Sequence, residues 1–483
     1  MGILLAALAC GEPAGLSPSA PRVDFADGAL EPILVRGQTV VLEGLGFGAT
    51  QGGGGVRFAR SGGGTVDAPF PPADSAPWSD HSIRVVVPDS AGSGPCTVTT
   101  AGGLALAIPV HVLPRVSLDP AALAWQARTP GFPRSPVGVA LAAGEFPSGA
   151  GLTTTLYAAG GAEPLGGDSL FLPDSGVYVS STVAGGGIGA WVRQPDTGDA
   201  ERSRVLPVSR AFAAAAVATR YDSRFNGSAL YVIGGVDASG RAQATVLGAA
   251  VDPGGVTARF EFLEPLPAPV AGAIAVMRRG RVYVMGGTDS LGRPQQAVYV
   301  GRIGGDGHID GWYVEPSLPV ARAYGGGVVL DRRVVAFGGV ADRVPPGGGL
   351  DSATPRLATG DTAPLSLTSG FLSGAWAGGG ILLPQGRSQF VTLDLGTTVL
   401  AVGGLYPGVE TAPEETLAAV VSGDSLGPFT GPVGTNTIAG LGGGTLVAPS
   451  GVSWRDADGS RHGLVLGGMD LGSRLRRNGV WGF

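Results

Sequence analysis

The most regular pattern along the chain is a short apolar run closed by two adjacent glycines. Each run holds three or four apolar residues, which is too short for a helix and typical of a buried β-strand. Six copies occur, at 156–161, 231–235, 282–287, 334–339, 399–404 and 464–468. The pattern therefore predicts a series of β-rich repeats over the second part of the chain.

Two further sequence features recur with the glycine pairs. An aromatic residue follows each of the first five pairs, and a Pro-x-x-Arg turn often follows the aromatic. The aromatic positions are Trp191, Phe260, Trp312, Trp376 and Phe429, and the turns end at Arg210, Arg322 and Arg387. Two successive intervals between second glycines, 235 to 287 and 287 to 339, are 52 residues long. A period near 50 residues predicts stacked supersecondary units.

This combination of marks resembles the Kelch repeat. The resemblance implies a six-bladed β-propeller over residues 115–483, in which the segment around Trp125 completes the last blade and so removes an exposed sheet edge. The glycines are expected to be structural, because residues without Cβ permit positive φ and close approach of neighbouring strands. They are Gly160, Gly161, Gly234, Gly235, Gly286, Gly287, Gly338, Gly339, Gly403, Gly404, Gly467 and Gly468.

A different pattern covers residues 22–114. Short β-rich runs such as 39–42, 56–58 and 83–87 alternate with turns, which is typical of a β-sandwich. The segments 44–48, 78–88 and 94–98 together resemble the IPT/TIG family of immunoglobulin-like domains. The resemblance implies an immunoglobulin-like sandwich ahead of the propeller.

Composition agrees with an all-β chain of two domains. Apolar residues make up 44% of the 483 residues, and 86 Gly with 38 Pro leave little room for long helices. The 32 basic residues are all arginine, and the net charge is -6. This balance gives no general attraction to nucleic acid or to anionic lipid, so we expect no nucleic-acid partner.

The first residues predict export. An apolar run from Ile3 to Ala9 ends at Cys10 and is followed by a Gly/Pro/Ser-rich stretch to residue 21. It resembles a bacterial lipoprotein signal, which implies that Cys10 is lipidated and that the lipid is the only link to the membrane. Ala7-Leu8 reverses the usual order, however, and no arginine precedes the run. An ordinary cleaved signal is the alternative.

Candidate chemistry is sparse. Some propellers joined to an immunoglobulin-like domain resemble galactose oxidase, but a copper-radical site needs histidine ligands and a Tyr-Cys crosslink. The propeller segment has no cysteine and only His308 and His462, which excludes that mechanism. No metal or cofactor motif was found. We therefore expect a binding or scaffold protein of the cell envelope, monomeric, with a protein or glycan partner.

Two alternatives stay open. A Kelch-type carbohydrate-active enzyme resembling a sialic-acid epimerase or mutarotase would need only carboxylates and arginines, which the chain has. The protein is expected to be located at the bacterial outer membrane or cell surface. The alternative is that it is periplasmic or secreted.

Acidic residues follow most glycine pairs: Glu163, Asp237, Asp289, Asp342 and Asp470. The Kelch resemblance places them on one rim with the arginines of the Pro-x-x-Arg turns and Arg134. They could contact a ligand. Regular recurrence favours a structural interpretation, in which each acid caps its own turn and each arginine braces a neighbouring blade.

Specificity is instead expected from loops that the repeats do not share. The longest are 342–363 and 405–410. We hypothesise a partner surface there, with Arg343 as the charged anchor and Tyr406 as the aromatic one. The other candidates are Asp351, Arg356 and Glu410. The alternative is that these Gly/Pro-rich stretches are insertions with no role.

Overall fold

The computed structural model describes residues 21–72, 76–149, 151–164, 171–199, 201–344, 354–367, 369–406, 416–438, 446–470 and 477–483. Their regular secondary structure is almost entirely β-strand, and their one helical element is a 3-10 turn at Pro120–Ala122 that Asp119 caps. The prediction of an all-β chain is confirmed. The chain divides into two compact units.

The described residues of the first unit form eight strands. They are β1 (Arg22–Ala26), β2 (Ile33–Val35), β3 (Thr39–Leu45), β4 (Gly55–Arg60), β5 (Thr65–Asp67), β6 (Ser82–Val86), β7 (Ala91–Thr99) and β8 (Ala105–Leu113). They form one sheet in the order β1-β3-β6 and another in the order β2-β8-β7-β4-β5. Within β6, Ile83 and Val85 are buried and alternate with partly exposed neighbours, as expected for a strand with one face on a core.

Both sheets of this unit contribute to a single hydrophobic core, which includes Leu42, Phe58 and Val110. The glycine-rich turn after β3 is fixed to this core, because Trp78 Nε1 donates a hydrogen bond to the Gly48 carbonyl at 3.1 Å. Cys96 lies fully buried in the same core, and burial raises the pKa of its thiol to about 12. The thiol is therefore a packing group and not a reactive one.

The first unit also includes residues 220–227 and 303–308. The 220–227 segment is bonded to the strands of this unit along its length. Arg220 Nη2 donates to Glu31 Oε1 at 2.6 Å, and Arg224 Nη2 donates to Glu43 Oε2 at 2.5 Å. Arg224 also lies over the ring of Phe25. Ion pairs and a cation–π contact thus tie this later piece of chain into the first unit.

The second unit begins at Val116 and holds the remaining strands. The first half contains β9 (Gln126–Ala127), β10 (Ala140–Ser148), β11 (Gly151–Ala159), β12 (Ala162–Pro164), β13 (Phe171–Pro173), β14 (Val177–Val183), β15 (Gly187–Ile188), β16 (Val192–Arg193), β17 (Ala214–Thr219), β18 (Ser228–Ile233), β19 (Val246–Asp252), β20 (Gly255–Val256), β21 (Glu261–Leu263), β22 (Ile274–Arg278), β23 (Arg281–Met285), β24 (Val298–Ile303) and β25 (Ile309–Glu315).

The second half contains β26 (Gly326–Val329), β27 (Arg333–Phe337), β28 (Thr359–Pro364), β29 (Ala377–Ile381), β30 (Val391–Asp394), β31 (Thr398–Val402), β32 (Thr416–Ser422), β33 (Ser425–Leu426), β34 (Leu446–Val447), β35 (Ser450–Arg455), β36 (Arg461–Leu466), β37 (Met469–Asp470) and β38 (Val480–Gly482).

These strands form successive antiparallel sheets, each built from neighbouring strands in chain order. Among the described residues the main sheets are β10-β11-β14-β15, β17-β18-β19-β20, β22-β23-β24-β25, β26-β27-β28-β29, β30-β31-β32-β33 and β35-β36-β38-β9. The innermost strands contact one another in the cyclic order β10, β17, β22, β26, β30, β35 and back to β10. The succession of sheets fits a β-propeller.

The last sheet is completed by a strand from the beginning of the unit. β9 pairs with β38, with Trp481 opposite Ala127. Trp125 anchors the adjoining segment, because its Nε1 donates to Thr416 Oγ1 at 3.0 Å and its backbone N–H donates to Asn436 Oδ1 at 2.7 Å. The expectation that the segment around Trp125 completes the final sheet agrees with this pairing.

Candidate binding surface

The six glycine pairs share one backbone geometry. The first glycine of each pair has φ between 63° and 67°, and the second has φ between 84° and 94°. The second amide then donates to a carbonyl of the following repeat. The acceptors are Arg210, Val270, Arg322, Arg387, Leu446 and Pro136, at 2.7 to 3.1 Å. Each pair therefore joins two successive sheets through the backbone, whatever side chain the acceptor carries.

The first glycine has no room for a side chain. At Gly286 an added Cβ would lie 2.1 Å from the Arg322 carbonyl oxygen. The positive φ and this close approach both require glycine. Conformation and close contact explain why the residue type repeats.

Two residues beyond each acceptor, the chain forms a ring of hydrogen bonds that closes on itself. The six positions are Gly138, Phe212, Gly272, Tyr324, Gln389 and Ala448, and each has φ between 52° and 60°. Each backbone N–H donates to the carbonyl of the equivalent residue one repeat earlier, and Gly138 N–H donates to the Ala448 carbonyl. Four of these positions hold non-glycine residues in the left-handed region, an uncommon conformation that the surrounding structure must stabilise.

Side chains from the ring positions pack against each other. The rings of Phe212 and Tyr324 meet edge to face with centroids 5.9 Å apart, and both are buried. Gly272 lies between them in chain order and makes room, because a Cβ there would lie 2.2 Å from the Tyr324 ring. Gln389 is also buried. The three large side chains at the ring positions are therefore buried and offer little surface to a partner.

The repeated arginines are buried and bonded to the framework. Arg322 Nη1 donates to the Gly338 carbonyl at 2.7 Å, and its Nη2 forms an ion pair with Asp361 in which both side chains are fully buried. Arg210 Nη2 donates to Thr245 Oγ1 at 2.5 Å. Burial lowers the pKa of Arg322, and the charge of Asp361 opposes that shift. These contacts agree with the bracing interpretation.

Arg387 follows the same pattern and also explains the position of Tyr406. Arg387 Nη1 donates to the Gly403 carbonyl at 3.0 Å, and its guanidinium lies 4.5 Å from the centroid of the Tyr406 ring. Only 3% of Tyr406 is exposed. We expected Tyr406 to be the aromatic anchor of a partner surface, and the structure places it, buried, beneath a framework arginine. It has little area left for a partner.

Arg134 does not occupy the arginine position of the repeat, which Pro136 fills. Its Nε donates to Glu163 Oε1 at 2.9 Å, and its Nη1 pairs with Asp174. The side-chain hydrogen bond to Glu163 raises the pKa of Arg134, although burial acts against it. Glu163 and Arg134 therefore form a local ion pair.

The acids after the second and third glycine pairs cap their own turns. Asp237 Oδ1 accepts hydrogen bonds from the backbone N–H groups of Ser239 and Arg241, and Asp289 Oδ1 accepts from those of Leu291 and Arg293. Burial alone would raise the pKa of both carboxyls, but these hydrogen bonds hold the pKa values below the ordinary range. Both acids stay ionised and shape the loops.

Three loops on this side of the unit are bonded into one continuous surface. We call residues 237–242, 289–293 and 341–344 the loop surface. Ser290 Oγ donates to the Ala242 carbonyl at 3.3 Å, Arg343 Nε donates to the Leu291 carbonyl at 2.9 Å, and Val344 N–H donates to the Gly292 carbonyl at 2.9 Å. Leu291 is 56% exposed. Exposed apolar and charged groups are therefore held on a fixed backbone.

The other predicted partner residues are distributed differently. Arg343 lies exposed on the loop surface. Arg356 is half-buried, and its Nε donates to Ser388 Oγ at 3.2 Å. Asp351 and Glu410 lie outside the described residues, as does Cys10. The structure thus leaves Arg343 as the exposed member of the set within the described residues.

Membrane-spanning helices and metal clusters were considered only for the described residues. They contain no helix long and apolar enough to cross a membrane. Across those same ranges, no group of three or more His, Cys, Asp or Glu residues is placed to hold a metal ion.

Comparisons with known proteins gave limited information. No family model matches the chain, and no curated protein matches it. Among solved structures, one titled "Structure of YjhT" is similar over 72% of this chain and 95% of its own length, with 14% identity and a TM-score of 0.47. This degree of likeness carries no conclusion about activity or ligand.

Proposed function

We propose that the chain is an exported binding or scaffold protein of the bacterial cell envelope, made of an IPT/TIG-type domain and a six-bladed Kelch-type propeller. The closed ring from Gly138 through Ala448 supports six repeats, because each of its six hydrogen bonds joins one glycine-pair repeat to the next. The two sheets over one core support a sandwich in the first unit.

The loop surface is the proposed binding site. The observation that carries this proposal is the contrast between repeated and unrepeated residues. The repeated arginines and the acids Asp237 and Asp289 are occupied by framework contacts. Leu291 and Arg343, which no other repeat shares, are exposed on loops that hydrogen bonds join to one another. Binding groups are commonly presented in this way by loops on a scaffold.

The partner is proposed to be a protein or a glycan that makes an apolar contact with Leu291 and a charged contact with Arg343. The two residues are directly linked by the hydrogen bond from Arg343 Nε to the Leu291 carbonyl. Arginine is enriched at protein interfaces and among the residues that dominate binding energy, which favours Arg343 as the main contact.

Capture experiments test the loop surface. Purified protein is incubated with envelope extract and, separately, with a glycan array. Leu291→Ser combined with Arg343→Ala is expected to lower capture by about tenfold or more, since exposed interface anchors dominate binding. The matched control is Arg202→Ala, which removes another exposed arginine. Undiminished capture by the double variant, or an equal loss in the control, would place the site elsewhere.

Lipidation at Cys10 is proposed as the means of anchoring. Metabolic labelling with a fatty-acid analogue is expected to tag the wild-type protein and not Cys10→Ala. Equal labelling of both proteins would contradict lipidation at this cysteine.

A further inference from the structure

Two neighbouring turns, at the ends of the strands remote from the glycine pairs, are unusually rich in arginine. We call Arg278, Arg279, Arg281, Arg332 and Arg333 the arginine patch. Arg279 and Gly280 form the turn between β22 and β23, and residues 330–332 join β26 to β27. Asp331 is the one acid in these two turns. The chain as a whole carries a net charge of -6, so this local excess of positive charge goes against its average.

A side-chain contact holds the two turns together. Arg278 Nη2 donates to Asp331 Oδ1 at 2.6 Å, and its Nη1 donates to the Val329 carbonyl at 3.4 Å. This ion pair offsets one positive charge of the patch and leaves a net positive charge on the rest. Burial raises the pKa of Tyr283 to about 12, while the charges of Arg281, Arg278 and Arg279 act to lower it. Glu315 acts in the opposite direction on the same phenol, so positive charge prevails around Tyr283 without being the only charge there.

Arg332 and Arg333 differ from most arginines of the unit. No described residue forms an ion pair or a side-chain hydrogen bond with either guanidinium group, and Arg332 is exposed. By contrast, Arg302 pairs with Asp310 at 2.6 Å on the neighbouring strand pair. Asp424 Oδ1 accepts the Arg332 backbone N–H at 2.8 Å, but no described acid forms an ion pair with either guanidinium group, which leaves both able to bind an external anion.

The backbone at Arg279 gives a second observation. Its φ is 52°, and that of Gly280 is 67°. A two-residue turn with two positive φ values favours Asn or Gly at the first position, and a long side chain there costs about 1–2 kcal/mol. Uncommon conformations of this kind concentrate at functional sites.

Aromatic rings adjoin the patch. Arg281 lies 5.6 Å from the centroid of the Phe371 ring, and Phe371 meets Tyr313 edge to face at 4.9 Å. Tyr313 is 45% exposed. Arg281 itself is buried, and its Nε donates to the Ser369 carbonyl at 3.0 Å. A sugar ring can pack its C–H face on the exposed aromatic surface while its acidic groups reach the exposed members of the patch.

We propose that the arginine patch, with Tyr313 beside it, binds an acidic polysaccharide through the carboxylate or sulfate groups of its sugars. The planar guanidinium groups suit oxyanions, which they can bind through two parallel hydrogen bonds. The site is independent of the loop surface, because it lies at the other ends of the strands.

Affinity measurements on the full chain test this proposal, with immobilised polygalacturonate for carboxylate and dextran sulfate for sulfate. We expect at least one of the two to bind and neutral dextran not to bind. Arg332→Ser combined with Arg333→Ser is expected to weaken binding by about tenfold or more. It should also reduce the slope of log Kd against log salt concentration by about two, since two charge contacts are lost.

The matched control is Arg57→Ser combined with Arg202→Ser, which removes two exposed arginines elsewhere. This control and the loop-surface variant Arg343→Ala are expected to bind as the wild type does. Arg279→Asn should weaken binding severalfold while keeping or raising the midpoint of thermal unfolding, which a structural role would not produce. The proposal is overturned if neither polymer binds, if the control loses as much affinity, or if duplex DNA binds more tightly than both polysaccharides.

Discussion

The two ends of the sheets in the second unit are built by different means. At the glycine-pair end, every repeat uses the same pair of φ values and the same backbone hydrogen bond. At the turn end, neighbouring sheets are joined by individual side-chain contacts. One is the pairing of Glu145 with Arg455, and another is the pairing of Arg278 with Asp331. The first end is uniform, and the second differs from repeat to repeat.

The difference shows what a repeat must keep. Arg322 and Val270 accept the same backbone hydrogen bond from a glycine pair, although one side chain is charged and the other apolar. Backbone geometry therefore closes the structure, and an arginine at this position adds bracing that not every junction needs. The turn residues share no backbone contact of this kind, so their side chains can differ from repeat to repeat.

The largest loss of unfolding free energy is expected where a framework arginine has a buried acidic partner. Arg322→Met leaves Asp361 as a buried charge without its ion pair, which typically costs about 3–5 kcal/mol of unfolding free energy. Urea unfolding measures the change. Adding Asp361→Leu to the same protein should recover most of the loss, because the isolated charge is then removed. An equal loss in the single and double variants would show that the pair itself, and not the stranded charge, determines stability.

A smaller loss of stability is expected when the first glycine of a pair is replaced. Gly286→Ala places Cβ against the Arg322 carbonyl at a φ of +63°, and we expect a loss of about 2–4 kcal/mol. Gly185→Ala is the matched control, since its φ is +78° and no atom lies within 4 Å of the added Cβ. Thermal unfolding of both proteins compares them. Similar losses would mean that conformation alone, without close approach, explains the glycine pairs.

The smallest effect is expected at the turn end and depends on pH. Burial would raise the pKa of Glu145, but the charge and hydrogen bonds of Arg455 outweigh burial and hold it below its ordinary value of 4.5. A depressed folded pKa contributes stability above the unfolded pKa and loses it as pH falls through the folded value. Glu145→Gln should therefore cost about 1–2 kcal/mol at pH 7 and little at low pH.

Chemical unfolding at several pH values between 7 and 3 checks this prediction. The stabilities of the wild-type protein and the Glu145→Gln variant are expected to converge as the pH falls. Parallel curves would show that the carboxylate charge contributes nothing. Because Arg461 also acts on Glu145 electrostatically, Arg461→Met is a useful companion that should reduce the difference between the two curves.

Much of the β-organisation could be predicted from the sequence because its signals are local. The glycine pairs show directly as residues, and each apolar run ahead of them is a strand, as at Val282 to Met285. The completion of the last sheet by the segment after Trp125 could be predicted because a partial copy of the repeat precedes the first full copy. These features depend on residue type and order alone.

The hydrogen-bonded ring was not predicted, because its six positions share a conformation and not a residue type. Glycine, Phe212, Tyr324, Gln389 and Ala448 have nothing in common in the sequence. A signal existed in their spacing, since each lies two residues after the position that the arginines mark. The burial of Tyr406 also required the structure, because its contact with Arg387 comes from a different repeat position. The arginine patch depends on two turns that are distant in the chain.

Completion of the last sheet by β9 also has a consequence for biosynthesis. The Trp125 backbone N–H donates a hydrogen bond to Asn436, a residue 311 positions later in the chain, and β9 can pair only after β38 has been made. A nascent chain leaves the ribosome at about 5–20 residues per second, and the early sheets can form as they emerge. The Trp125 segment has its partners only after Asn436 and the β38 residues have been made. It spends that interval exposed, and this is the period in which chaperone protection would matter most.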